Sequence, residues 1–233
     1  MGIILSYGLF KTNLNVRKTF DYYVNSLKRN SDIYSEFIPN STMVLYHDET
    51  VPSEMLKYME GNGVILKEQP KSKGWEGTFW RFKELSNSNN ETVVVLQDAD
   101  SALDVENGLI KKLTDKLLDT DYTSFIHHGP VSVNKLKEKN KWLMAGQSMY
   151  KHKIDIDFEN VVPEFLEIYR EYDADEIFLS EYVWPLVKDG TLINIERRAL
   201  PLFLEVIKKN PNTPNWLLEP NHMDRITTNL TAK

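Results

Sequence analysis

The segment Asp98-Ala99-Asp100 closes the most apolar run in the chain, Val93-Val94-Val95-Leu96. Four consecutive apolar residues, three of them β-branched, predict a strand buried on both faces of a covered sheet. Side chains alternate along a strand, so positions 98 and 100 are expected to share a face. Two carboxylates then converge at the C-terminal edge of the sheet, where open α/β folds bind their ligands. Adjacent anions repel unless a cation lies between them. Mg2+ or Mn2+ suits such hard oxygen ligands and usually keeps substrate phosphate oxygens in its shell. An arbitrary Asp-x-Asp is more simply a polar turn; the strand in front of this one gives the metal reading comparable weight.

Other side chains are also able to do chemistry. Arg81 is embedded in Phe79-Trp80-Arg81-Phe82, which predicts partial burial, and a buried arginine needs an anionic partner. Its planar fork suits a carboxylate or a diphosphate. Lys71 and Lys73 lie in a polar segment before Gly74 and either reach phosphate or sit in a solvated loop. Asp175 and Glu176 open a helical pattern. Acidic residues there either serve the helix N-terminus, with Asp175 as cap, or present a general base to an acceptor hydroxyl. His127 and His128 follow a strand; as neighbours they point to opposite faces, so one at most meets a ligand. Trp75, Trp142 and Trp216 are able to stack on a sugar or base, although core packing is the commoner fate of tryptophan.

The elements that must position these groups alternate between strand and helix, the pattern of an α/β fold. Ile3–Tyr7 reads as a first strand, followed by a helix carrying Val16, Phe20, Tyr23, Val24 and Leu27. Met43–His47 is a second strand and Pro52-Ser53 opens a short helix. Val64–Leu66 is a third strand, and Thr78–Leu85 has helical character before the Val93 strand. Asp104 is expected to cap the next helix, with Val105, Leu109, Leu113 and Leu117 on one face. Tyr122–Ile126 and Leu192–Ile195 are later strands; Val161–Tyr172, Asp175–Val187 and Pro201–Lys208 are later helices, with Pro185 bending or ending the second. Residues 129–150 show no clear period and read as containing a long loop. The segment after Asn210 reads as a tail.

Composition excludes several classes. The 233 residues carry 34 acidic and 28 basic side chains, a net charge of −6. No basic stripe is present, which argues against nucleic acid as partner. Zero cysteines exclude disulfides, thiol nucleophiles and cysteine-based zinc sites. Ile3-Ile4-Leu5 is too short for a signal sequence and no apolar stretch spans a bilayer, so the expected place is the cytoplasm and no transmembrane segment is expected. A chain of this length with 41% hydrophobic residues is able to bury a full core.

Several stretches in order resemble GT-A-type nucleotide-sugar glycosyltransferases, specifically a bacterial and large-DNA-virus glycosyltransferase-like group. Asp98-Ala99-Asp100-Ser101 is similar to their DxD motif, and Gly77-Thr78-Phe79-Trp80-Arg81-Phe82 to their FWRF element. Ser6-Tyr7-Gly8, Tyr46-His47-Asp48 with Val51-Pro52, Met144-Ala145-Gly146, Ala174-Asp175-Glu176-Ile177-Phe178-Leu179 and Trp184-Pro185 have counterparts as well. Relatives often have a basic residue where Ala102 stands, and Gly-Gly where Ala145-Gly146 stands.

The resemblance implies a single GT-A-like domain over residues 1–233, with a mixed, mostly parallel sheet flanked by helices. Residues 1–100 would be the nucleotide-binding half ending in DxD, and residues 101–233 the acceptor half, whose tail closes the site. It implies metal-dependent transfer from a nucleoside-diphosphate sugar, a UDP-sugar by preference, to a glycan or other hydroxyl acceptor. Asp98 and Asp100 would hold Mn2+ or Mg2+, with His222 as a third ligand. Ser6, Tyr7, Gly8, Asp48, Arg81, Asp98, Ala99, Asp100 and Gly146 would contact the donor, and Asp175 and Glu176 would be catalytic. Two alternatives remain: a non-catalytic nucleotide-sugar or carbohydrate-binding module, and a haloacid-dehalogenase-like phosphatase. In the latter the first aspartate of an Asp-x-Asp is the nucleophile and the motif lies near the N-terminus, unlike here.

Overall fold

The computed structural model describes residues 2–12, 18–89, 91–139, 142–146, 148–210, 213 and 215–219. Its strands are Gly2–Leu9 (β1), Ser41–His47 (β2), Ile65–Glu68 (β3), Thr92–Leu96 (β4), Ser124–His128 (β5), Ser148–Tyr150 (β6) and Thr191–Ile195 (β7). They form one sheet in the order β3-β2-β1-β4-β6-β5-β7. All neighbours are parallel except β6, which runs antiparallel to both β4 and β5. The fold is therefore a mixed, mostly parallel α/β sheet, as expected.

Helices cover both faces. They are Phe20–Phe37 (α1), Ser53–Gly61 (α2), Glu76–Phe79 (α3), Lys83–Asn87 (α4), Leu103–Leu118 (α5), Pro130–Lys139 (α6), Phe158–Ile168 (α7), Ala174–Phe178 (α8), Trp184–Val187 (α9) and Leu200–Lys209 (α10). The period of two along each strand sorts the core. Leu5, Met43, Val93 and Val95 pack with Leu27, Met55 and Leu113 from α1, α2 and α5. Val94, Leu96, Ile126 and Ile193 pack on the other face with Phe82, Phe165, Phe178 and Phe203. Val93 through Leu96 are fully buried, which is why that strand has no polar side. None of the described helices is long and apolar enough to cross a membrane.

Four stretches differ from their sequence-based expectation. Residues 129–150 hold α6 and β6 rather than a long loop. Pro130 is the first residue of α6, a position where its missing N–H costs nothing. α1 runs ten residues past Leu27, to Phe37, because its inner face there is polar: Asn30 and Ser31 are buried along with Tyr34. α5 begins at Leu103 with Ala102 at the cap position, so Asp104 lies inside the helix. The helix opening at Ala174 continues to Val187 through a π-helical stretch, Leu179–Val183, that precedes Pro185. Proline has no N–H for the i−4 carbonyl, and the wider turn absorbs that gap without ending the helix.

Candidate active site

The chain leaves β1 toward β2 and β3 on one side, while β4 lies on the other. Such a reversal opens a crevice at the C-terminal ends of the two middle strands. Here it is a cleft of about 250 Å³. Gly8, Leu9 and Phe10 line it from the end of β1, and Asp98, Ala99 and Asp100 from beyond β4. The aspartates do not stand on the strand itself. β4 stops at Leu96, and Asp98 opens a turn closed by the Ser101 N–H on the Asp98 carbonyl (3.0 Å). Strand alternation is thus not what aims them; the turn carries both into the cleft.

Arg81 joins this edge to the opposite wall. It sits in the single turn of 3-10 helix, Trp80–Phe82, that links α3 to α4. It is buried, with 6% of its surface exposed. One guanidinium nitrogen donates to Asp98 Oδ1 (2.6 Å) and to the Gln97 carbonyl (3.0 Å); the other donates to Asp175 Oδ2 (2.9 Å). Its backbone is fixed as well, since the buried Ser6 hydroxyl donates to the Arg81 carbonyl (2.7 Å). Burial opposes the charge of Arg81, but Asp98 and Asp175 outweigh it and hold its pKa above the ordinary value. Asp100 is paired with Lys18, whose ammonium also lies 4.4 Å from the centre of the Tyr22 ring.

α8 supplies the facing carboxylates. Asp173 precedes it in a left-handed backbone conformation (φ 74°). Asp175 accepts the Glu176 N–H (2.9 Å) on the oxygen that Arg81 does not use. Lys135 of α6 reaches Glu176 (2.9 Å) and Asp173 (3.6 Å). Burial raises the pKa of Asp175 against the pull of Arg81, and raises that of Glu176 against the pull of Lys135. Both are therefore stronger proton acceptors than free carboxylates.

The other residues singled out in the sequence fall in different places. Gly8 and Ala99 line the cleft; Ser6 stands behind it, holding Arg81. Tyr7 is fully buried in the α1–α2–α5 core and is not part of the cleft wall. Asp48 is also fully buried. It accepts the N–H groups of Thr50 (3.0 Å) and Ser72 (2.9 Å), joining the loop after β2 to the segment before α3. Gly146 lies against the Asp98 carboxylate so closely that a Cβ there would overlap it. Lys71 pairs with Glu49 on the surface. His127 contacts Asn194, and His128 is buried against Phe203. Trp142 is buried in the core. His222 and the side chain of Trp216 lie outside the described residues. Among the described residues, no three His, Asp or Glu side chains are arranged to hold a metal ion.

Sequence reasoning missed Lys18, Asn30, Lys135 and Asp173. Asn30 accepts the Leu103 N–H (3.2 Å) and donates to the Ser101 carbonyl (2.7 Å), so α1 holds the segment that follows Asp100. A buried asparagine in the middle of a helix is the one local signal, and it is legible only once that helix face is known. The two lysines carry no local signal.

No protein-family model matches the chain, and no curated protein matches it. Among solved structures it is similar to the galactosyltransferase LgtC in complex with donor and acceptor sugar analogs, at 13% identity and a TM-score of 0.48, over 98% of this chain and 83% of that one. An active-site mutant of LgtC gives 13% and 0.47 over the same shares. CMP:2-keto-3-deoxy-manno-octonic acid synthetase with CTP gives 8% and 0.43, over 84% of this chain and 90% of that one. All three scores fall below 0.5.

Proposed function

We propose that this chain is a metal-dependent glycosyltransferase that moves a sugar from a nucleoside-diphosphate sugar, UDP-linked by preference, to a glycan or other hydroxyl acceptor. The observation that carries the reading is the Arg81 bridge. One guanidinium ties Asp98, beyond β4, to Asp175, on α8, so the two carboxylate groups of the motif pattern face each other across one cleft. Residues 1–100 form the donor half and 101–233 the acceptor half of one domain.

The donor set fits a hard divalent cation. It consists of carboxylate oxygens, with the Asp98 side chain 52% and the Asp100 side chain 25% exposed on the cleft. Mn2+ or Mg2+ held by Asp98 and Asp100, with His222 as a third ligand, would supply charge neutralisation for the departing diphosphate. Gly8 and Ala99 line the cleft beside the donor, and Arg81 orients Asp98 while adding positive charge at the phosphate end. The acceptor hydroxyl forms the new bond to the anomeric carbon of the donor. The bond from that carbon to the diphosphate oxygen breaks, and its electron pair leaves with the nucleoside diphosphate. The hydroxyl proton passes to Asp175 or Glu176, whose burial strengthens them as bases.

The test is a panel of nucleoside-diphosphate sugars incubated with the full chain, with and without Mn2+, and with mixed glycan acceptors. Release of nucleoside diphosphate that requires Mn2+ is the expected result. Cleavage of a phosphomonoester would overturn the reading in favour of a phosphatase, and donor binding without release in favour of a binding module.

A further inference from the structure

We propose that Trp75 and Tyr172, beside Asp173 and Glu176, form a subsite for an uncharged sugar ring of the acceptor. The proposal depends on the transferase reading for its place in the reaction, though not for its binding chemistry. Trp75 precedes α3 and Tyr172 lies in the turn that leads into α8. Both line the cleft. Their rings meet edge to face, with centroids 5.9 Å apart and planes at 79°, a geometry that holds two aromatic rings in register. Tyr172 nonetheless leaves 47% of its surface open. The C–H face of a pyranose is apolar and packs on such a ring, while its hydroxyls seek strong acceptors at the rim.

Those acceptors follow directly in the chain. Asp173 is the next residue after Tyr172, in a left-handed backbone conformation that is unfavourable for a non-glycine residue. Glu176 lies one turn on, joined to Asp173 through Lys135. Charge then selects the class of sugar. Lys135 answers two carboxylates, Asp173 and Glu176; Arg81 answers two others, Asp98 and Asp175. Among the residues that line the cleft, Asp98, Asp100, Asp173, Asp175 and Glu176 stand against Arg81 and Lys135. A uronic acid, a sialic acid or a phosphorylated sugar would bring a further negative charge against this wall, and like-charge contact excludes ligands efficiently. A neutral hexose meets ring and acceptors without that opposition.

The test uses the full chain on an array of defined neutral and acidic glycans, with saturation-transfer NMR on the spots that bind and calorimetry of UDP with Mn2+ as a separate arm. Neutral glycans are expected to bind in preference to their uronate or sialylated forms. Tyr172→Ala is expected to weaken them about tenfold, the effect of a 1.4 kcal/mol loss, while Tyr172→Phe keeps them and both variants bind UDP–Mn2+ as the wild type does. Preference for acidic glycans, equal glycan affinity in Tyr172→Ala, or no glycan binding by the wild type at millimolar concentration would overturn the proposal. Glycan binding that depends on Tyr172, in a chain that binds no nucleotide, would leave the subsite standing and remove the transferase reading. Nucleotide binding without Tyr172-dependent glycan binding would do the reverse.

Discussion

At the scale of single residues, Arg81 is the least replaceable part of the site. It is a buried cation whose partners come from two segments, so its fork geometry matters as much as its charge. Lysine at this position is able to satisfy one carboxylate at a time and leaves the other, or the Gln97 carbonyl, without a donor. Arg81→Lys is therefore expected to lose about 1–3 kcal/mol of stability in urea unfolding, the cost of a polar group left unpaired, and most of its turnover. A variant as stable as the wild type would mean that the bridge contributes nothing to the fold. The residues legible in the sequence were those with a local sign: two aspartates after a wholly apolar strand, and an arginine among aromatics. Lys18 and Lys135 had none. Their partners Asp100 and Glu176 lie 82 and 41 positions away, and a pairing made by tertiary folding leaves no period or spacing to read.

At the scale of elements, the site depends on what holds the turn after β4. Asn30 of α1 fixes the segment beyond Asp100. On the other side, the Ser180 hydroxyl receives the Trp142 N–H (3.0 Å) and donates to the Glu176 carbonyl (2.8 Å), coupling the 142–146 loop to α8. That loop brings Gly146 against Asp98. Gly146→Ala should push the half-exposed Asp98 carboxylate off Arg81. Since Asp98 is free to turn toward solvent, the melting temperature should move by no more than about 3 °C, the shift of about a 1 kcal/mol change in a chain of this size, while affinity for UDP–Mn2+ falls several-fold. Unchanged affinity would place Asp98 outside the metal site. The parallel strands β1, β2 and β4 were legible because their apolar runs are long and regular. β6 was not: it has three residues, and its burial comes from β4 and β5 on either side. α6 was hidden for a related reason, since its buried apolar residues Val133 and Leu136 make up a single helical spacing.

At the scale of the whole molecule, acid sensitivity follows from what the sheet buries. His128, at the end of β5, is 1% exposed, and burial, aided by its neighbour His127, lowers its pKa from 6.5 to about 4. The unfolded chain takes up that proton near pH 6.5, whereas the folded chain resists it. The stability linked to His128 is thus complete above pH 6.5 and is lost as pH falls toward 4. Between pH 7 and pH 5 the loss from this one group amounts to about 2 kcal/mol. His128→Phe, which keeps the contact with Phe203, should flatten that part of the curve in urea unfolding at the two pH values; an identical slope would show that the acid response arises elsewhere.

The cleft as a whole is read as a metal-dependent donor site, and calorimetry of UDP binding tests this most directly. The wild type should bind UDP in Mn2+ and lose most of that affinity in EDTA. Asp98→Asn and Asp100→Asn should each abolish the Mn2+-dependent part; Asp98→Asn takes a charge partner from the buried Arg81 and should also melt lower, whereas Asp100→Asn, whose partner Lys18 is solvent-accessible, should melt close to the wild type. UDP affinity that is unchanged in either variant, or that does not depend on Mn2+ in the wild type, would contradict the assignment.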